Sequence, residues 1–119
     1  MNGHLEVAQW LFGAGAAEDV RTADEDGSTP MLWACENGHL EVAQWLFGAG
    51  AAEDVRTADE DGDTPMLMAC EHGHLDVAQW LYGAGAAEDV RTADEVGWTP
   101  MLMACMKGHL KVAQWLFGA

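Results

Sequence analysis

The chain repeats itself every 35 residues, and this period limits the folds open to it. Gly-His-Leu begins at Gly3, Gly38, Gly73 and Gly108, and Thr-Pro-Met begins at Thr29, Thr64 and Thr99. Residues 3–37 and 38–72 differ only at Ser28/Asp63, Trp33/Met68 and Asn37/His72. The next copy departs from 38–72 at Glu41/Asp76, Phe47/Tyr82, Asp61/Val96, Asp63/Trp98, Glu71/Met106 and His72/Lys107. A period of this length marks a stacked array, because a unit this small cannot bury its apolar face without neighbours.

Within one unit the residues predict two helices and a turn. Thr29 is a good N-cap, Pro30 suits the first helical position, and Gly38 supplies a left-handed stop after Asn37. A second helix is expected from Leu40 to Phe47, closed by Gly48 and Gly50. Its apolar residues, Leu40, Val42, Ala43, Trp45, Leu46 and Phe47, leave only Glu41 and Gln44 as a wet side. A helix this apolar must be covered on several sides. Residues 51–62 look like a polar connector, ending in Asp59-Glu60-Asp61-Gly62, which reads as a β-turn.

Thr-Pro-Met-Leu-Trp-Ala, Gly-His-Leu-Glu-Val-Ala and Gly-Ala-Ala-Glu-Asp-Val together resemble the ankyrin-repeat pattern over essentially the whole chain. The resemblance implies an all-α repeat solenoid: an ankyrin-type stack of antiparallel helix pairs with β-turn fingertip loops. The 119 residues then form one domain, with a half repeat at 1–23 and repeats at 24–58, 59–93 and 94–119. The period exceeds the usual ~33 residues because Gly-Ala-Ala-Glu-Asp-Val is longer than its counterpart. The motif histidine is replaced by Leu32, Leu67 and Leu102, which removes the usual threonine–histidine hydrogen bond.

Composition narrows the functional classes. Five Lys and Arg against 20 Asp and Glu give a formal charge of −15, a field that repels nucleic acid and anionic membrane and favours basic partners. No apolar run approaches the ~20 residues of a membrane span, and no signal segment opens the chain, so a cytoplasmic protein is expected. Cys35, Cys70 and Cys105 are evenly spaced and lone, without the clustering of a zinc site, and are read as small buried residues. Asp59-Glu60-Asp61-Gly62-Asp63 starts like a calcium loop, but Thr64 and Cys70 stand where that loop needs glycine and glutamate. His72 and His74 lack a clear third ligand. No nucleophile has a local base and orienting acid, so no catalysis and no cofactor is expected. Glu18-Asp19, Glu53-Asp54 and Glu88-Asp89 put like charges in register along the stack, so added salt is expected to raise the unfolding temperature.

The few variable positions carry the functional signal. Asp26 and Ser28 flank Gly27 at the turn tip, and Trp33, Glu36 and Asn37 share one helix face at i, i+3 and i+4. Met31, Ala34 and Cys35 form a separate stripe directed at the core. The second unit offers Asp61, Asp63, Met68, Glu71 and His72, and the third offers Val96, Trp98, Met103, Met106 and Lys107. Drift would also scatter changes over Gln44, Glu53, Asp54, Arg56 and Thr57, which are invariant in every complete copy. These residues are therefore expected to form a concave protein- or peptide-binding face, more apolar toward the C-terminus, suited to a partner with basic and apolar patches. Near-identical repeats also point to a consensus-like or engineered chain. Neither end resembles a polar capping unit, so end-to-end self-association, or a scaffold with no partner beyond itself, is the rival reading.

Overall fold

The computed structural model describes residues 20–119. The expected lone helix from Leu5 to Phe12, with Glu18 and Asp19, lies outside the described residues. Among those described there are six α-helices and no strand: α1 (Pro30–Glu36), α2 (Leu40–Leu46), α3 (Pro65–Glu71), α4 (Leu75–Leu81), α5 (Pro100–Met106) and α6 (Leu110–Gly118).

Each pair starts as the residues demand. The Oγ1 atoms of Thr29, Thr64 and Thr99 accept from the N–H groups of Leu32, Leu67 and Leu102 at 3.1, 3.1 and 3.2 Å. Proline follows each cap, where its missing N–H costs nothing. The threonine cap is thus retained without a histidine to brace it. Gly38 turns the chain at φ +74°, and Gly73 and Gly108 do so at +76°.

The second helices end differently from the expectation. Leu40–Leu46 passes into a wide turn, Phe47–Ala51, and then a short 3₁₀ segment, Ala52–Val55; Tyr82–Ala86 and Ala87–Val90 repeat this. Gly48 lies inside the wide turn, and the reversal is made by Gly50 at φ +119°. The extra residues are accommodated here. The connector is not simply polar either, since Ala51, Asp54 and Val55 are buried.

Two aspartates of the expected like-charge ladder are paired with arginines, while Glu53 and Glu88 stay exposed. Asp54 is buried and receives Arg21 of the preceding unit at 3.1 and 2.8 Å; Asp89 receives Arg56 at 3.1 and 2.9 Å. The Oγ1 atoms of Thr57 and Thr92 also donate to these carboxylates. A buried carboxylate is stable only when paired and hydrogen-bonded, and each junction meets both conditions.

Met31, Ala34 and Cys35 form the core stripe with Met66, Ala69 and Cys70, all nearly inaccessible. Along the stack α1, α3 and α5 pack directly on one another, while α2, α4 and α6 touch each other far less. Small alanines line the first row; Trp45, Trp80 and Trp115 spread the second, with Phe47 edge-on to Trp80 at 5.8 Å. The first row is the more closely packed of the two. The third cysteine departs from expectation: Cys105 is exposed, because its stripe ends the stack.

Candidate functional site

The turn and the first helix of each unit bring the variable residues to one side. In the first turn, Asp24 Oδ1 accepts from the N–H groups of Asp26 and Ser28 at 2.9 Å. Asp59 and Asp94 organise the next two turns in the same way. Adjacent turns are tied by one main-chain bond each, Glu60 N–H to Asp26 carbonyl and Glu95 N–H to Asp61 carbonyl, both 3.0 Å. The fingertips are therefore a continuous, ordered edge.

The three units present different chemistry on this scaffold. Trp33 is 55% exposed and lays its indole N–H 3.5 Å from Asp24 Oδ2. Asn37 donates to the Trp33 carbonyl at 2.8 Å. Glu36 and His72 meet across the junction at 3.7 Å, and the His72 ring stacks 6.2 Å from His74. Asp26 and Asp61 are exposed, while Ser28, Asp63 and Glu71 are half-buried. In the third unit Val96 is 77% exposed, Met106 and Lys107 are exposed, and Trp98 and Met103 are partly covered. Met68 differs: at 9% exposure it is packed between its neighbours and offers a partner little surface. Trp33 escapes that fate because its ring leans outward over the turn.

Asp63 introduces a second electrostatic feature. Partial burial, a hydrogen bond to the Asp94 carboxylate and the nearby Asp59 raise its carboxyl from 3.8 to about 7. Asp94 is held below the ordinary range: burial opposes this, but the N–H of Trp98 and the Asp63 carboxyl outweigh it. Ser28 occupies the equivalent place in the first unit, so the shared proton belongs to one junction. Asp59, Asp61 and Asp63 each bring an oxygen within 4.8 Å of the others. Asp59 Oδ1 is already taken by the N–H groups of Asp61 and Asp63 at 3.0 Å, so the turn itself accounts for the cluster.

Two further surfaces lie outside the variable face, the first of them not foreseen from the residues and the second in keeping with the missing polar cap. A groove of about 820 Å³ runs beside Trp33, with Pro30, Ala34, Val42 and Leu46 among its walls. At the opposite edge Leu102, Leu110 and Phe117 are exposed, although Leu32 and Leu67, the counterparts of Leu102, are buried.

A family model for ankyrin repeats, in three copies, matches residues 1–94 and 53–119, ranges that together span the chain. No curated protein matches it.

Proposed function

The chain belongs to the ankyrin-repeat family, whose members are typically non-catalytic protein-interaction modules, and from that premise we propose that residues 1–119 act as one unit gripping a protein or peptide on the α1–α3–α5 side. The observation that carries the reading is the third unit. Val96, Trp98, Met106 and Lys107 replace polar or acidic residues of a largely copied sequence, and three of the four are exposed. Exposed apolar side chains beside an ordered main-chain edge make good anchors, and Trp33 adds an aromatic one in the first unit. The surrounding acid, Asp26, Asp61 and Glu71, favours a partner whose apolar patch is rimmed by Lys or Arg over nucleic acid. Copying this close to identity supports a consensus-like or engineered origin. Cysteines carried as free thiols suit a reducing compartment such as the cytoplasm.

The test compares the chain with one whose third unit is reset to the first unit's residues: Val96→Asp, Trp98→Ser, Met106→Glu and Lys107→Asn. All four positions are at or near the surface, so the fold is retained. Loss of a partner captured by the parent chain is expected, and equal capture by both would remove the surface from consideration.

A second reading, a scaffold that associates with itself, is favoured by the apolar edge at Leu102, Leu110 and Phe117. Sedimentation across a dilution series tests it: mass should rise with concentration.

A further inference from the structure

Resting on the reading that the α1–α3–α5 side grips a partner, we propose that the turn carrying Val96 and Trp98 is held by a proton latch, one hydrogen shared by the carboxyl groups of Asp63 and Asp94.

The latch is built around Asp94. Its Oδ1 accepts from the N–H groups of Val96, Gly97 and Trp98 at 3.0, 3.0 and 2.9 Å, and its own N–H reaches the Trp98 carbonyl at 3.0 Å. One carboxylate therefore fixes the whole turn from which Val96 and Trp98 project. Three donors on one oxygen also favour the ionised form of Asp94. Asp63, half-buried in the preceding turn, hydrogen-bonds to that carboxylate across the junction. Two carboxyl groups in contact do not both ionise readily, so the proton between them stays on Asp63.

The surroundings make this contact depend on the proton. Among the described residues the charged groups facing Asp63 are all acids: Asp59 and Asp61 from its own turn and Asp94 from the next. The Glu95 side chain adds another, 3.3 Å from where a Cβ would stand on the adjoining Gly62. No described lysine, arginine or histidine forms an ion pair with any of these acids. The main-chain bond between the two turns, Glu95 N–H to the Asp61 carbonyl, has its counterpart at the first junction, Glu60 N–H to the Asp26 carbonyl. The carboxyl pair has none, because Ser28 stands in place of Asp63 there and a hydroxyl carries no charge near neutral pH.

Loss of the proton turns an attraction into a repulsion at the same range. Asp63 swings toward water, and the third turn is left with its main-chain bond to the second. The Asp63 carboxyl is raised to about 7 by partial burial, the bond to Asp94 and the nearby Asp59. The latch is therefore complete in acid and is lost as pH rises through about 7. When it is closed, Val96 and Trp98 are presented in one geometry. When it is open, a partner that grips them must first order them, which weakens binding.

Hydrogen exchange at single amides, read by NMR and corrected for the intrinsic effect of pH, tests the latch with no partner present. Protection of the Val96 and Trp98 N–H groups should fall by about tenfold or more between about pH 5 and pH 8, because opening requires a proton to leave. The Asp26 and Ser28 N–H groups, bonded in the same way to Asp24, should show no such fall. Asp63→Asn keeps a neutral donor beside Asp94, and Asp63→Ser copies the first junction. Both variants should make protection of the third turn independent of pH. A fall of equal size in the parent chain and both variants would overturn the latch, as would a parent profile as flat as that of the first turn. Either result leaves the binding reading standing, whereas equal capture by the parent and the reset chain removes the binding face and leaves the latch intact.

Discussion

The repeat lets one substitution be placed at three equivalent sites that differ only in what covers them. Leu32 and Leu67 are 1% and 0% exposed, and Leu102 is 44% exposed. Leu67→Ala removes a fully covered side chain and leaves a cavity walled by both neighbouring units, a change that costs about 3–5 kcal/mol. Leu102→Ala has no enclosed cavity to leave. A little over half of its surface is covered, and full burial of leucine is worth about 1.5–3 kcal/mol, so the loss is about 1 kcal/mol. Urea unfolding followed by tryptophan fluorescence, on dilute protein, reads both. With a denaturant slope of about 2 kcal/mol per molar, the midpoint should fall by about 1.5–2.5 M for Leu67→Ala and by about 0.5 M for Leu102→Ala. Leu32→Ala should follow Leu67→Ala. Equal losses at Leu67 and Leu102 would refute the claim that the following unit, and not the helix itself, buries this position.

Three other outcomes follow from the geometry. In native protein Cys105 should alkylate promptly, while Cys35 and Cys70, whose thiols burial pushes up to about 12, should react only on unfolding; mass spectrometry of the labelled peptides distinguishes them. Gly73→Ala should destabilise more than Gly108→Ala in thermal melts, because both residues sit at φ +76° but only the first places a Cβ 2.7 Å from a histidine ring; the backbone strain common to both is about 1 kcal/mol. Asp63 binds its proton more tightly folded than unfolded, so its contribution to stability is complete below about pH 4 and is lost as pH rises through about 7. Melts of Asp63→Ser against the parent chain should show that slope flattened.

Much of the stack was readable because its determinants are local. The Thr29 cap, the Gly38 stop and the Met31, Ala34, Cys35 stripe each follow from residues within one or two turns. What escaped depends on a neighbour across a junction. Asp54 looks like one more acid in a polar connector until Arg21, 33 residues earlier, is seen to reach it. Trp33 and Met68 hold the same place in the repeat yet differ sixfold in exposure, 55% against 9%. Cys105 and Leu102 share their sequence surroundings with buried counterparts and are exposed only because of their place in the order. Local pattern sets the shape of a unit; position along the array sets what that unit shows to water.

The arginine–aspartate bonds have one more consequence. Arg21 and Arg56 each hold half of a contact whose other half belongs to the following unit, with nearly identical lengths at both junctions. No unit contains a complete bond, so a 35-residue segment cut out or inserted at any phase leaves matching halves to meet again. Copy number is then a free variable, as length is for a one-dimensional crystal. Recombination between such similar segments lengthens or shortens the row of units without disturbing a junction, and the variable residues become the only record of which unit is which.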